Sequence, residues 1–242
     1  MHPQHADLLQ AMKALVPPDR PVAANYHGQG VHPYLGLSVP QRRAVAKAWA
    51  AEHRRDGAEE VLHLVESLMA GSTYEEKTLG PLLLASHPAA RKAVTPAQVS
   101  GWLGGLQGWA ETDHLSQSLF PAEQLLADWP RWDRELAAMA QADQAERRRA
   151  SLVLLTGSVR SHADGRLLSR SLTNLGVLKS DRDPLVSKAV SWLLRALIAR
   201  HRSALEAWMA GNKGDLRPAV RREVETKLST GLKSGRSHAL EG

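Results

Sequence analysis

The chain has 242 residues, enough for one large domain or two small ones, and no cysteine, which excludes disulfides and thiolate metal sites. A hydrophobic content of 43% supports a packed core, and the single Phe leaves that core mostly to Leu, Val and Ala, with seven Trp to be explained separately. Residues 1–142 hold 12 basic and 15 acidic side chains, a balance of −3, whereas residues 143–242 hold 19 and 10, a balance of +9. A basic half on a neutral chain points to a polyanion, most simply nucleic acid; the alternative is ordinary solvation of helix faces. No run approaches the ~20 apolar residues of a membrane span, and Met1-His2-Pro3-Gln4-His5 lacks the basic start and apolar stretch of a signal peptide. A soluble, cytoplasmic protein is expected.

In chain order the sequence reads as helix after helix. Leu8, Leu9, Met12, Leu15 and Val16 recur at helical spacing over 5–16, stopped by Pro17-Pro18. A loop with Gly28, Gly30 and Pro33 follows. Ser38 N-caps a helix with Pro40 in its first turn, reaching about His53. A helix over 57–70 turns Val61, Leu62, Leu64, Val65 and Leu68 inward, and Pro81 should kink or delay the next, over 73–86. Thr95-Pro96 opens a helix to about Leu106. Further helices are expected at 109–120, 121–128, 131–141, 143–159, 164–176, 183–201, 203–211 and 217–230. The sum is an all-α protein, either a compact bundle or a solenoid of helix pairs at the roughly 40-residue period of HEAT-like repeats. We expect one domain over 1–231 and a flexible tail over 232–242.

Motifs for phosphate loops and HExxH metal sites are absent, and the eleven His are scattered. No metal and no cofactor is expected. His2 and His5 sit at a terminus expected to fray, and Glu59-Glu60 and Glu75-Glu76 read as solvated helix faces. Three positions carry more. Trp109 and Asp113 are i and i+4, so they share a helix face away from Thr112, Leu115 and Leu119. In Arg147-Arg148-Arg149, one guanidinium should emerge at the edge of the stripe containing Leu152 and Leu155. In Asp183-Pro184 through Arg195, Val186, Ala189, Val190, Leu193 and Leu197 form the buried stripe. Lys188, Trp192 and Arg195 lie on another face, placed to touch a phosphate or sugar.

These residues resemble a known family, the AlkD-type DNA alkylation repair glycosylases built from HEAT-like helix pairs. Tyr34-Leu-Gly-Leu-Ser-Val-Pro40-Gln-Arg-Arg43 is similar to the entry of the family's first long helix. Trp109-x-x-x-Asp113, Arg147-Arg148-x-Ala150 and Asp183-Pro-x-Val-x-Lys188-Ala-Val-x-Trp192-x-Leu-Arg195 follow in the family's order. The chain departs in having Ala110 where an Asp is usual and Thr112 where an aliphatic residue is usual.

The resemblance implies a HEAT-like helical-repeat solenoid with a concave DNA-binding cleft. It implies base-excision repair of cationic N3- or N7-alkylated purines in double-stranded DNA by hydrolysis of the N-glycosidic bond. Asp113, Trp109 and Trp192 would be catalytic, and Arg148, Lys188, Arg195, Lys179, Arg217 and Arg221 would bind DNA. A monomer is the default expectation, with no membrane contact, in the bacterial cytoplasm and at the nucleoid during repair. Two rivals are a non-catalytic HEAT-like DNA-binding module for damaged or branched DNA, and a protein-binding helical scaffold with an incidental basic face.

Overall fold

The computed structural model describes residues 1–16, 32–117 and 119–232. Among these it has fourteen α-helices and no strand. The Pro17-Pro18 stop, most of the Gly28–Gly30 loop and the tail beyond Leu232 lie outside the described residues. No described helix is long and apolar enough to cross a membrane. The chain divides into two compact units, Met1–Phe120 and Pro121–Gly242.

The first unit contains α1 (Pro3–Ala14), α2 (Val39–Glu52), α3 (Ala58–Met69), α4 (Tyr74–Ser86), α5 (Pro88–Ala93), α6 (Pro96–Leu103) and α7 (Gly108–Ser116). Capping boxes start three of them: Ser38 with Gln41, Thr73 with Glu76, and Thr95 with Gln98. Each satisfies two orphan donors reciprocally. The central element is α4, which packs against α2, α3 and α7. Every residue from Tyr74 to Pro81 is buried. A helix enclosed on all sides has no single apolar stripe, so α4 is poorly amphipathic in sequence. It runs through Pro81 from Tyr74, so the proline does not delay it. The short α5 escapes periodicity; the ring of His87 caps it by accepting from the Ala90 N–H at 3.2 Å.

The buried polar residues of α4 correct the view of Glu75-Glu76 as a solvated face: they are 0% and 2% exposed. Glu75 accepts the N–H groups of Leu35, Gly36 and Leu37 at 2.9, 3.0 and 3.1 Å. Gly36 permits this wrap because its φ is 103°. Burial nevertheless pushes the Glu75 carboxyl above its ordinary pKa. Glu76 accepts from Thr73 N–H at 2.8 Å and from His5 Nε2 at 2.7 Å. A carboxylate only accepts, so Nε2 carries the proton; in the neutral ring Nδ1 then accepts from the Ser67 hydroxyl at 2.8 Å. His5 is therefore buried and pinned, not frayed. Lys77 donates to the Met69 carbonyl, and Thr78 meets Arg42.

The second unit contains α8 (Ala122–Ala127), α9 (Trp129–Ala140), α10 (Ala145–Ser161), α11 (Gly165–Leu178), α12 (Pro184–Leu197), α13 (Arg202–Asn212) and α14 (Pro218–Thr230). Here α10 is central, packed against α9, α11 and α12, while α12 also packs on α14. The stripe Val186, Ala189, Val190, Leu193 and Leu197 is at most 1% exposed. Full burial of each Val or Leu among them contributes about 1.5–3 kcal/mol.

Candidate active site

Helix α7 is aligned from its buried side. Gly108 begins it at φ 71°, a left-handed conformation that turns the chain from Gln107 into the helix. Glu111, 1% exposed, accepts from the Gln107 N–H at 2.8 Å and from His32 Nδ1 at 2.9 Å. Burial pushes its carboxyl above the ordinary value, against the pull of the Gln107 N–H and His32. Thr112 donates its hydroxyl to the Gly108 carbonyl at 2.8 Å. Thr112, Leu115 and Leu119 are all buried, as their spacing implies. The helix ends at Ser116, so Leu119 reaches the core from beyond it.

These constraints turn Trp109 and Asp113 to the other side. Trp109 is 39% exposed, high for so large an aromatic, and Asp113 is half-buried. Both line an open pocket of about 460 Å³. Its other walls include Val39 and Arg43 of α2, Pro81 and Leu82 of α4, Arg91 of α5, and Ala110, His114 and Gln117. The pocket thus offers one carboxylate, one aromatic face and two guanidinium groups. Arg43 closes the first of the motifs above, whereas Arg91, His114 and Gln117 carry no local signal that singles them out. His114 donates from Nδ1 to the Ala110 carbonyl at 2.8 Å. Burial, with Arg42 and Arg43 nearby, pushes its pKa below the ordinary value against the opposing pull of Ala110 and Asp113. Among the described residues no group of His, Asp and Glu is arranged to hold a metal.

The remaining candidates belong to the second unit. Trp192 is half-buried on α12, with Lys188 exposed and Arg195 half-buried. Arg195 Nε donates to the Ser191 carbonyl at 3.2 Å and lies 3.6 Å from Glu223. Arg148 is the guanidinium at the edge of the stripe, but it is engaged: Nε pairs with Asp181 at 2.7 Å and Nη1 donates to the Ala142 carbonyl at 3.0 Å. Its neighbour Arg149 is 4% exposed and donates to the Leu185 carbonyl. Lys179 is 2.6 Å from Asp215 and donates to Asn212 at 2.7 Å. Arg217 donates to the Arg182 carbonyl and the Ser187 hydroxyl. Arg148, Lys179 and Arg217 therefore brace the α11–α12 connection. Lys188 and Arg221 are exposed, and their side chains make neither a hydrogen bond nor an ion pair among the described residues.

The all-helical fold falls within a known class. The DNA alkylation repair enzyme family matches residues 8–228, and the chain belongs to that family. In structure it is similar to a predicted DNA alkylation repair enzyme from Enterococcus faecalis, with a TM-score of 0.66 at 15% identity over 94% of this chain and 96% of that one. At that identity the likeness is one of fold, a helical-repeat architecture. No curated protein matches the chain.

Proposed function

We propose that this protein is a DNA glycosylase that releases cationic N3- or N7-alkylated purines from duplex DNA by hydrolysing the N-glycosidic bond. The observation that carries this reading is the pairing of Trp109 and Asp113 on one wall of an open pocket, held there by a buried scaffold on the opposite side of α7.

The chemistry suits those groups. An alkylated purine already carries positive charge and leaves readily. As the bond to the sugar breaks, that charge moves to the deoxyribose and gives an oxocarbenium-like transition state. The Asp113 carboxylate would stabilise the sugar cation and orient, or take a proton from, the attacking water. The exposed indole of Trp109 would meet the cationic nucleotide in cation–π contact. Arg43 and Arg91, repelled by a cationic base, suit the flanking phosphates. Trp192 and the exposed cations of the second unit would add sugar and phosphate contacts.

The test is single-turnover release of 7-methylguanine from duplex DNA by wild type and Asp113→Asn. Asn keeps the size and removes the charge, so the variant should lose about 10²–10³-fold in rate, about 2.7–4 kcal/mol. Duplex affinity should stay level or rise slightly, since a negative charge leaves a polyanion site. Wild-type rate in a variant with wild-type melting behaviour would show the carboxylate to be a bystander. Duplex binding without any base release by wild type would favour the non-catalytic DNA-binding module. Absence of binding would favour the protein scaffold.

A further inference from the structure

Behind the pocket lies a buried cation that forms no ion pair among the described residues. Arg42 of α2 is 0% exposed. Its guanidinium meets the Thr78 hydroxyl, sits 4.9 Å from the centre of the Tyr74 ring, and has Nη1 3.4 Å from His114 Nε2. A buried charge lacking a close counter-ion is costly and is held by whichever acceptors surround it. His114 can be such an acceptor in only one form. Nδ1 faces the Ala110 carbonyl at 2.8 Å and must carry hydrogen; Nε2 then presents its lone pair to Arg42 only while the ring is neutral. The chain of contacts Thr78–Arg42–His114–Ala110 thus joins α4, α2 and α7, and its last member lies on the pocket wall beside Asp113.

We propose that neutral, Nδ1-protonated His114 is a positioning residue for Asp113: it ties the Ala110–Asp113 turn of α7 to buried Arg42, and a proton taken up at Nε2 breaks that tie. Protonation turns the nitrogen that α7 presents to Arg42 from an acceptor into a donor facing a donor and sets two cations together in a buried place. The charged or titratable groups around the ring are Arg42 and Arg43 from α2, Tyr74 from α4, Asp113 on its own helix and Arg91 across the pocket from α5. Burial first, then the excess of cations over the carboxylate, favours the neutral ring, so it is uncharged at neutral pH. Because its folded pKa lies below the ordinary 6.5, the contribution of neutral His114 is present above that value and is lost as the pH falls through the lowered one. The catalytic consequence rests on the glycosylase reading; the tie itself does not.

Two measurements test the two parts. The first is an NMR titration of wild type and His114→Gln from about pH 8 down until the ring has titrated, following the ring nitrogens and the backbone amides of Asp113 and Gln117. The expected result is an Nδ1–H tautomer at high pH and amide shifts that titrate together with the ring, absent in the Gln variant. An Nε2–H tautomer, or Asp113 amide shifts that ignore the ring, overturns the tie from wild type alone, whether or not the variant folds. The second is single-turnover release of 7-methylguanine over the same range, corrected for enzyme-free release. Wild type should lose rate on the acid side, while His114→Gln, within about tenfold of wild type at high pH, should show a flattened acid limb. Superimposable limbs overturn the positioning role. No release by wild type at any pH overturns the glycosylase reading and leaves the tie to the titration.

Discussion

Glycine 108 shows how one backbone conformation sets the direction of a site. Its φ of 71° puts the chain where an L side chain is strained, one residue before the exposed Trp109. Gly108→Ala should cost about 1–2 kcal/mol. It should also re-aim Trp109, so base release should fall further than the loss of thermal stability explains; equal melting and equal rate would refute this account of α7. A second residue-scale expectation concerns Glu76. Burial alone would raise its pKa, but the Thr73 hydroxyl and His5 more than offset that and hold it below 4.5. A carboxyl lowered in the folded state contributes stability above its unfolded pKa and loses it as pH falls through the folded one. Glu76→Gln should therefore be less stable than wild type at neutral pH, by about 1–3 kcal/mol. The gap should close as acid drops below the 4.5 of an ordinary glutamate. Denaturant melts of both proteins across that range measure it.

At the scale of elements, the α11–α12 connection is held by cations that the family resemblance assigns to DNA. Arg148 and Asp181 are 20% and 11% exposed and 2.7 Å apart. Asp181 also accepts from the Asp183 N–H at 2.8 Å, and Asp183 caps α12, the helix of Trp192. Arg148→Ala and Asp181→Asn should each lower the melting temperature, and the double variant should fall well short of their sum. Additive losses would mean the pair is not a unit. Apolar periodicity made the long helices legible, because α3 and α12 each bury one face. The helix starts at Ser38 and Thr95 are legible from another local signal, a hydroxyl residue with a proline just inside the first turn. By contrast, α4 buries polar residues whose partners are distant in sequence: His5, Leu35 to Leu37 and Arg42. No pattern within residues 73–86 reveals them, so Glu75-Glu76 reads as surface. The site divides likewise: Trp109 and Asp113 follow from helical spacing on one element, whereas His114 gains its meaning only from Arg42 on another.

For the whole molecule, the uneven charge acquires content once paired and unpaired cations are distinguished. Of the basic residues expected to meet phosphates, Arg148 and Lys179 already have carboxylate partners, while Lys188 and Arg221 are exposed and have none among the described residues. Each phosphate neutralised on B-form DNA contributes roughly −0.9 to the slope of log affinity against log salt. Lys188→Ala and Arg221→Ala should each reduce that slope by about 1. Lys179→Ala should reduce it less, because Asp215 competes for the same ammonium group. Anisotropy titrations of a labelled duplex at several salt concentrations decide between this ordering and equal contributions.

The enclosed polar heart of α4 also bears on how the first unit comes apart. Its side chains close on α1, on the 35–37 segment, on α2 and on the end of α3, so peeling away any one of these strands a buried group without its partner. Partial opening should then be nearly as unfavourable as complete opening, and hydrogen exchange should find the α4 amides opening mainly with the unit as a whole. Trimming α1 to obtain a smaller protein would accordingly not remove a dispensable appendage; it would take His5 from Glu76 and loosen the helix that backs the pocket.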